Sequence, residues 1–187
     1  DWDITKIEKQ NITDNVVDFL AGKIHAFQPA VQENLKLAAC IGNTFDLGTL
    51  ATISGQGKDN LAAVLESALI ENLLYPLENE RYKFIHDRVH QAAYGLIDEP
   101  SKQTLHLKIG RLLLKKTGIV DIENMPEDIG IHLFDIVNHL NMGVNLLEDE
   151  NEKIEFLHLN LIAGQNARKS AAYKTGADYL QTAMQLL

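Results

Sequence analysis

The chain has 187 residues, 45% of them apolar, enough at this length to bury roughly 70% of the surface that its unfolded form exposes. Its 17 Lys and Arg against 26 Asp and Glu leave a formal net charge of −9, which offers DNA or an anionic membrane little long-range attraction. The single cysteine, Cys40, excludes an internal disulfide and a multi-cysteine zinc site, its apolar setting points to a reducing cytoplasm, and no apolar run reaches the roughly 18 residues needed to cross a bilayer.

The chain starts at Asp1 without a methionine or signal-like segment and ends within the amphipathic stretch Gln185, Leu186, Leu187, so we expect a piece of a longer protein. Only four prolines and a strong helical period make the class mainly α. In ITDNVVDFLAGKI, Thr13 or Asp14 is placed to cap a helix that carries Val16, Val17, Leu20 and Ile24 on one side, with a joint at Pro29. Val31, Leu35, Ala38, Ala39 and Ile41 form the next stripe, ended by Gly42 and Asn43. Asp46 caps a short helix to Ile53, and Leu61, Val64, Leu65, Ala68, Leu69 and Leu73 mark a third helix over Asp59 to Leu73.

The period then changes. Leu73 to Leu77 and Arg81 to Ile85 flank the polar turn Glu78, Asn79, Glu80, and Tyr82 and Phe84 alternate with their neighbours as a half-buried strand requires. Pro76 cannot donate to a strand ladder, which puts the first arm at an edge. Three helices followed by a β-hairpin predict a winged-helix module over 31–98, after a helical leader at 1–30. Helices resume at Asp87 to Ile97 and Ser101 to Lys116, and Thr117 to Asp128 reads as a polar connection. Beyond it come helices marked by Leu133, Phe134, Val137 and Leu140, by Ile154, Leu157, Leu161 and Ala167, and by Tyr173, Ala177, Leu180, Met184 and Leu187. The span 99–187 is thus an antiparallel, repeat-like helical arm, with one pair of repeat length at Glu152 to Leu187.

The densest polar signal is FIHDRVH, Phe84 to His90, where strand gives way to helix. Three readings compete. His86 and His90 stand four apart and resemble the zinc-protease pattern HExxH, but Asp87 is a methylene shorter than Glu and no third ligand stands at a recognised spacing. A helix start with an imidazole before it suits a diphosphate, with Asp87 holding the first-turn amides and accepting the other imidazole N–H. The bland alternative makes Asp87 a cap and His86 a packed histidine.

Resemblance weights these readings. ITDNVVDFL at Ile12 to Leu20, LKLAACIGNTFDLGTLA at Leu35 to Ala51 and YKFIHDRVHQAAYGLI at Tyr82 to Ile97 carry it, extended by HLKIGRLLL at His106 to Leu114 and FDIVNHLN at Phe134 to Asn141. From end to end the chain resembles the predicted signal-transduction ATPases of the STAND class found inside large bacterial multi-domain sensor kinases. There a serine/threonine kinase-like domain precedes the ATPase, and GAF and histidine-kinase domains follow it. The family usually has Gln at the position of His90. IHD at Ile85 to Asp87 resembles the MHD motif of the wider class, with Ile85 in place of Met, a volume-conserving change. In that class the motif closes a winged helix and its histidine contacts the β-phosphate of bound ADP. The resemblance therefore implies His86 as a nucleotide-phosphate sensor and Asp87 as its orienting partner, with residues 1–30 coming from the end of an ATPase lid.

No GxxxxGK[ST] occurs, so the P-loop is expected outside these residues. The chain is expected to be a non-catalytic regulatory segment with no cofactor of its own, ATP or ADP with Mg²⁺ belonging to the parent protein. Its implied partners are the upstream P-loop domain and downstream sensor and kinase domains of the same chain, in the cytoplasm, with neither membrane nor nucleic acid. The other classes considered are a DNA-binding regulator, disfavoured by Asp59, Glu66 and Glu71 on the third helix against Lys58, and a protein-interaction scaffold. Lys115 and Lys116 complement a helix dipole, and Glu148 to Glu155 reads as a solvated turn. His25, His106, His132, His139 and His158 read as packed or surface residues and Cys40 as a core thiol. Asn138, His139 and Asn141 form a polar face expected to meet solvent.

Overall fold

The computed structural model describes residues 4–119 and 130–187. Contacts divide the chain into two compact units, Asp1–Glu99 and Pro100–Leu187. Most of the polar connection expected at Thr117 to Asp128 lies outside the described residues.

The first unit opens with α1 (Ile4–His25), which packs on α5 (Asp87–Gly95). Thr13 and Asp14 stand inside α1 and do not begin it, because the preceding Lys6 to Gln10 are good helix formers with no breaker among them. Helix α2 (Pro29–Ile41) starts on a proline, favoured at the first helical position, and ends at Gly42. Strand β1 (Thr44–Asp46) follows, and then α3 (Leu47–Ser54), whose cap is Asp46, its carboxylate accepting from Thr49 N at 2.7 Å. Gly55, at φ +70°, closes α3 in the left-handed region that glycine enters without strain. Helix α4 (Lys58–Ile70) ends three residues before the expected Leu73, where Asn72 turns at φ +54° and Leu73 is buried.

The hairpin is β2 (Leu74–Leu77) and β3 (Arg81–Phe84), with Asn79 and Glu80 of its turn both at positive φ. The sheet has the order β1-β3-β2, so Pro76 sits on an edge strand as expected and β3 is central. Sequence alternation did not disclose β1, which is only three residues long and pairs Phe45 with Tyr82. Phe45 stacks on Tyr82 at 5.8 Å and meets Phe84 at 5.9 Å, joining the sheet to a core of Ile24, Leu35, Leu50, Leu61 and Leu65. Each such side chain contributes about 1.5–3 kcal/mol on burial.

The described residues of the second unit form α6 (Glu99–Thr117), α7 (Gly130–Met142), a 3₁₀ turn at Val144–Leu146, α8 (Glu150–Lys169) and α9 (Tyr173–Gln185). Its core gathers Leu107, Ile136, Val137, Leu140, Phe156 and Leu159. Two expected stripes are displaced. In α8 the buried positions are Phe156, Leu159, Ala163 and Ala167, while Ile154 is exposed. In α9 they are Gly176, Tyr179 and Ala183, while Tyr173, Leu180, Met184 and Leu187 are exposed. Close approach explains both: a Cβ on Gly164 would lie 3.2 Å from the Gly176 carbonyl, so small residues let the α8 and α9 backbones meet where bulk would hold them apart.

Candidate functional site

FIHDRVH forms the passage from β3 into α5. Phe84 anchors it in the core, and Ile85 N donates to Leu73 O at 3.0 Å, so the chain reaches His86 still extended. His86 is the N-cap of α5, at φ −142° and ψ 148°, and its carbonyl accepts the first helical bond from Val89 N at 2.9 Å. Its imidazole makes no capping hydrogen bond and is exposed. The unfilled amides and positive dipole end of α5 therefore lie beside a side chain that can donate to an anion.

His86 borders a cleft of about 330 Å³ between α1 and the start of α5. The walls are apolar, formed by Val16, Phe19 and Leu20 of α1 with Leu73, Ile85 and Val89. Lys23, Glu71, Asn72 and Arg88 complete the lining. Lys23 Nζ is held by the Glu71 carboxylate at 2.8 Å and carbonyl at 3.0 Å, and Arg88 Nη1 donates to Gln91 Oε1 at 2.7 Å. Phe19 is 72% exposed, a large apolar side chain offered at the surface beside an imidazole and a guanidinium.

Asp87 takes up a different bond from the expected one. Its Oδ1 accepts from Asn43 Nδ2 at 3.0 Å, which ties the first residue of α5 to the turn before β1. Asn43 Oδ1 is buried and has no hydrogen-bond partner. Sequence reasoning missed Asn43 and Arg88; Asn43 is 44 residues from Asp87, and no local spacing relates them.

His90 serves packing. Its Nε2 lies 2.9 Å from Ala39 O, which can only accept, so the ring is the Nε2–H tautomer and donates from α5 to α2. The ring also meets the Phe84 edge at 5.4 Å and stacks on Tyr94 at 6.2 Å. His86 precedes the helix and His90 is committed to Ala39, so the paired-ligand geometry of HExxH is not formed. Among the described residues, no group of three or more His, Cys, Asp or Glu is placed to hold a metal ion.

Elsewhere, Lys58 at the start of α4 is bonded to Glu80 in the hairpin turn, and that hydrogen bond and charge raise its pKa above the usual lysine value. Asp149 caps α8, and its neighbours are used in ion pairs: Arg111 grips Glu152 through two bonds of 2.5 and 2.7 Å, and Lys153 holds Glu150 at 2.6 Å. On the polar face of α7, expected to meet solvent, Asn138 is exposed and His139 and Asn141 are half-buried, and all three also bond the neighbouring helices. Asn138 Oδ1 accepts from Tyr179 Oη at 2.8 Å, Asn141 and Asn160 exchange amide bonds of 2.7 and 2.9 Å, and His139 Nδ1 lies 2.8 Å from His106 Nδ1. Asn160 and His106 are buried, and polar residues on α7 supply each with a hydrogen-bond partner that Leu133, Ile136 and Val137 could not.

Comparison with known proteins gives one relative. The whole chain is 30% identical, over a 233-residue alignment, to part of hybrid signal transduction histidine kinase G of Dictyostelium discoideum. The chain spans 7% of that protein's length. No family model matches the chain, and no solved structure matches it. The chain is thus similar to a segment of a signal-transduction kinase. Among the described residues, no helix is long and apolar enough to cross a membrane.

Proposed function

We propose that the chain is a regulatory segment of a STAND-type ATPase inside a multi-domain signalling kinase. In this reading 31–98 is a winged helix whose β1-β3-β2 sheet carries the wing, and 99–187 is the arm that relays its position. The observation that carries the proposal is the place of His86: exposed, at the N-cap of a nine-residue helix, beside an apolar cleft. Such a group contacts a phosphate presented by another domain, while Phe19 and Ile85 give that domain apolar surface to rest on. A P-loop domain upstream holds ADP and Mg²⁺; His86 donates to a phosphate oxygen in the closed state and loses that contact when the nucleotide is exchanged.

A charge-assisted hydrogen bond worth about 1.5–3 kcal/mol would move a two-state equilibrium by tenfold or more. Asp87, tied to Asn43, fixes the start of α5 and thereby positions His86. The kinase context of the relative supports a signalling role of this kind. Dissociation of a fluorescent ADP analogue from the parent chain tests the reading: His86→Ala should speed release at least tenfold, and an unchanged rate would reduce His86 to a surface residue. A second reading, a protein-interaction scaffold, is favoured by the exposed Tyr173 and Met184 on α9.

A further inference from the structure

We propose that His106 and His139 form a proton-counting tie between α6 and α7, closed while the pair carries at most one extra proton and opened when both imidazoles are charged. Their Nδ1 atoms are 2.8 Å apart and their ring centroids 4.9 Å. At that distance one Nδ1 must donate and the other must offer a lone pair, so two neutral rings hold opposite tautomers. A first proton goes to the outer nitrogen of the donor ring and leaves the bond intact, now charge-assisted. A second proton occupies the remaining Nδ1 lone pair, and two N–H groups then face each other.

The surroundings oppose that second proton. His106 is 6% exposed, and Lys102, one turn earlier on α6, adds its charge to that of His139. Burial first, then His139 and Lys102, push the pKa of His106 down to about 4. On α7, Asp135 precedes His139 by one turn and acts on Tyr179 of α9; on α8, Glu152 faces α6 but is held by Arg111. The two helices meet closely on both sides of the tie, so separating the rings means parting these contacts as well. On one side of His106 a Cβ at Gly143 would lie 2.7 Å from Gln103 O, and on the other a Cβ at Gly110 would lie 2.5 Å from Leu140 Cδ2. Opening the tie therefore disturbs the whole α6–α7 contact, which gives this helical unit a response to acid independent of any role for His86.

The test uses the full chain labelled with ¹⁵N-histidine, followed by long-range ¹H–¹⁵N spectra from pH 8 down to about pH 3, past the second step. The tie predicts two unequal steps, one ring taking its proton well before the other, and an Nδ1–H signal that persists through the first step and vanishes in the second. Two rings titrating independently near the ordinary value of about 6.5 would overturn it. In parallel, because His106 takes a proton near 6.5 when unfolded and only at about 4 when folded, the wild-type Tm should fall as pH drops from 6.5 toward 4, and His106→Asn should flatten that fall; an equal fall in both proteins would also overturn the proposal. If His106→Asn does not fold, the wild-type spectra decide alone.

Discussion

The carboxylate of Asp87 accepts a 3.0 Å hydrogen bond from the amide of Asn43, so the first residue of α5 is tied to the turn that launches β1. The bond joins the helix carrying His86 at its N-cap to the sheet, and it accounts for an acidic residue in a first helical turn that also favours negative charge.

Removing either partner should destabilise the first unit through the same interaction. Asp87→Ala leaves the Asn43 amide without its acceptor, and Asn43→Ala strips a charged acceptor of its donor, each costing about 1–2 kcal/mol. Urea unfolding of both single variants and the double variant checks this: the double should lose clearly less than the sum of the two singles. Strict additivity would mean that the contact contributes nothing.

Gly110 sets the spacing of α6 and α7. An added Cβ would lie 2.5 and 2.7 Å from Leu140 side-chain carbons and 3.0 Å from the Leu140 backbone nitrogen, so the strain cannot be relieved by one side chain moving. Gly110→Ala should cost about 1–3 kcal/mol despite its better helix propensity, read as a lowered urea midpoint. Gly22→Ala is the control, since nothing lies within 4 Å of its Cβ, and it should be neutral or stabilising.

Asn160 is 1% exposed and bonds both Asn141 and the Phe156 carbonyl. Truncating it leaves the Asn141 amide without its partner, and Asn160→Ala should lower stability by about 1–3 kcal/mol. Asn141→Ala combined with Asn160→Ala should recover part of that loss, measured again by urea unfolding, because no amide is then left unmatched.

Much of this architecture was legible because single residues carried clear local reasons. Tyr82 and Phe84 announced a strand by alternation, Pro76 its edge, and Asp46 a helix cap. What escaped depended on partners far away in sequence. Thr44 to Asp46 becomes a strand only because β3 lies beside it. The buried face of α9 centres on Gly176, Tyr179 and Ala183, and a reading that ranks positions by apolar bulk selects Tyr173 and Met184 instead. Asn138 meets solvent as expected, but the bonds that it, His139 and Asn141 make to other helices could not be read, because a polar residue carries no local sign of a matching group elsewhere. At the candidate site, position was legible and partnership was not: His86 and Asp87 stand at the strand-to-helix junction as expected, but the residue that holds Asp87 is Asn43.

The central claim, that His86 secures a nucleotide-bound closed state, is tested most directly by the nucleotide that accompanies the parent chain through purification. A longer protein that includes the proposed upstream P-loop domain is prepared without added nucleotide, as wild type and as His86→Ala, then denatured, and the released ADP is quantified per chain. The account predicts close to one ADP in the wild type and a loss of most of it in the variant. Equal ADP in both would contradict it.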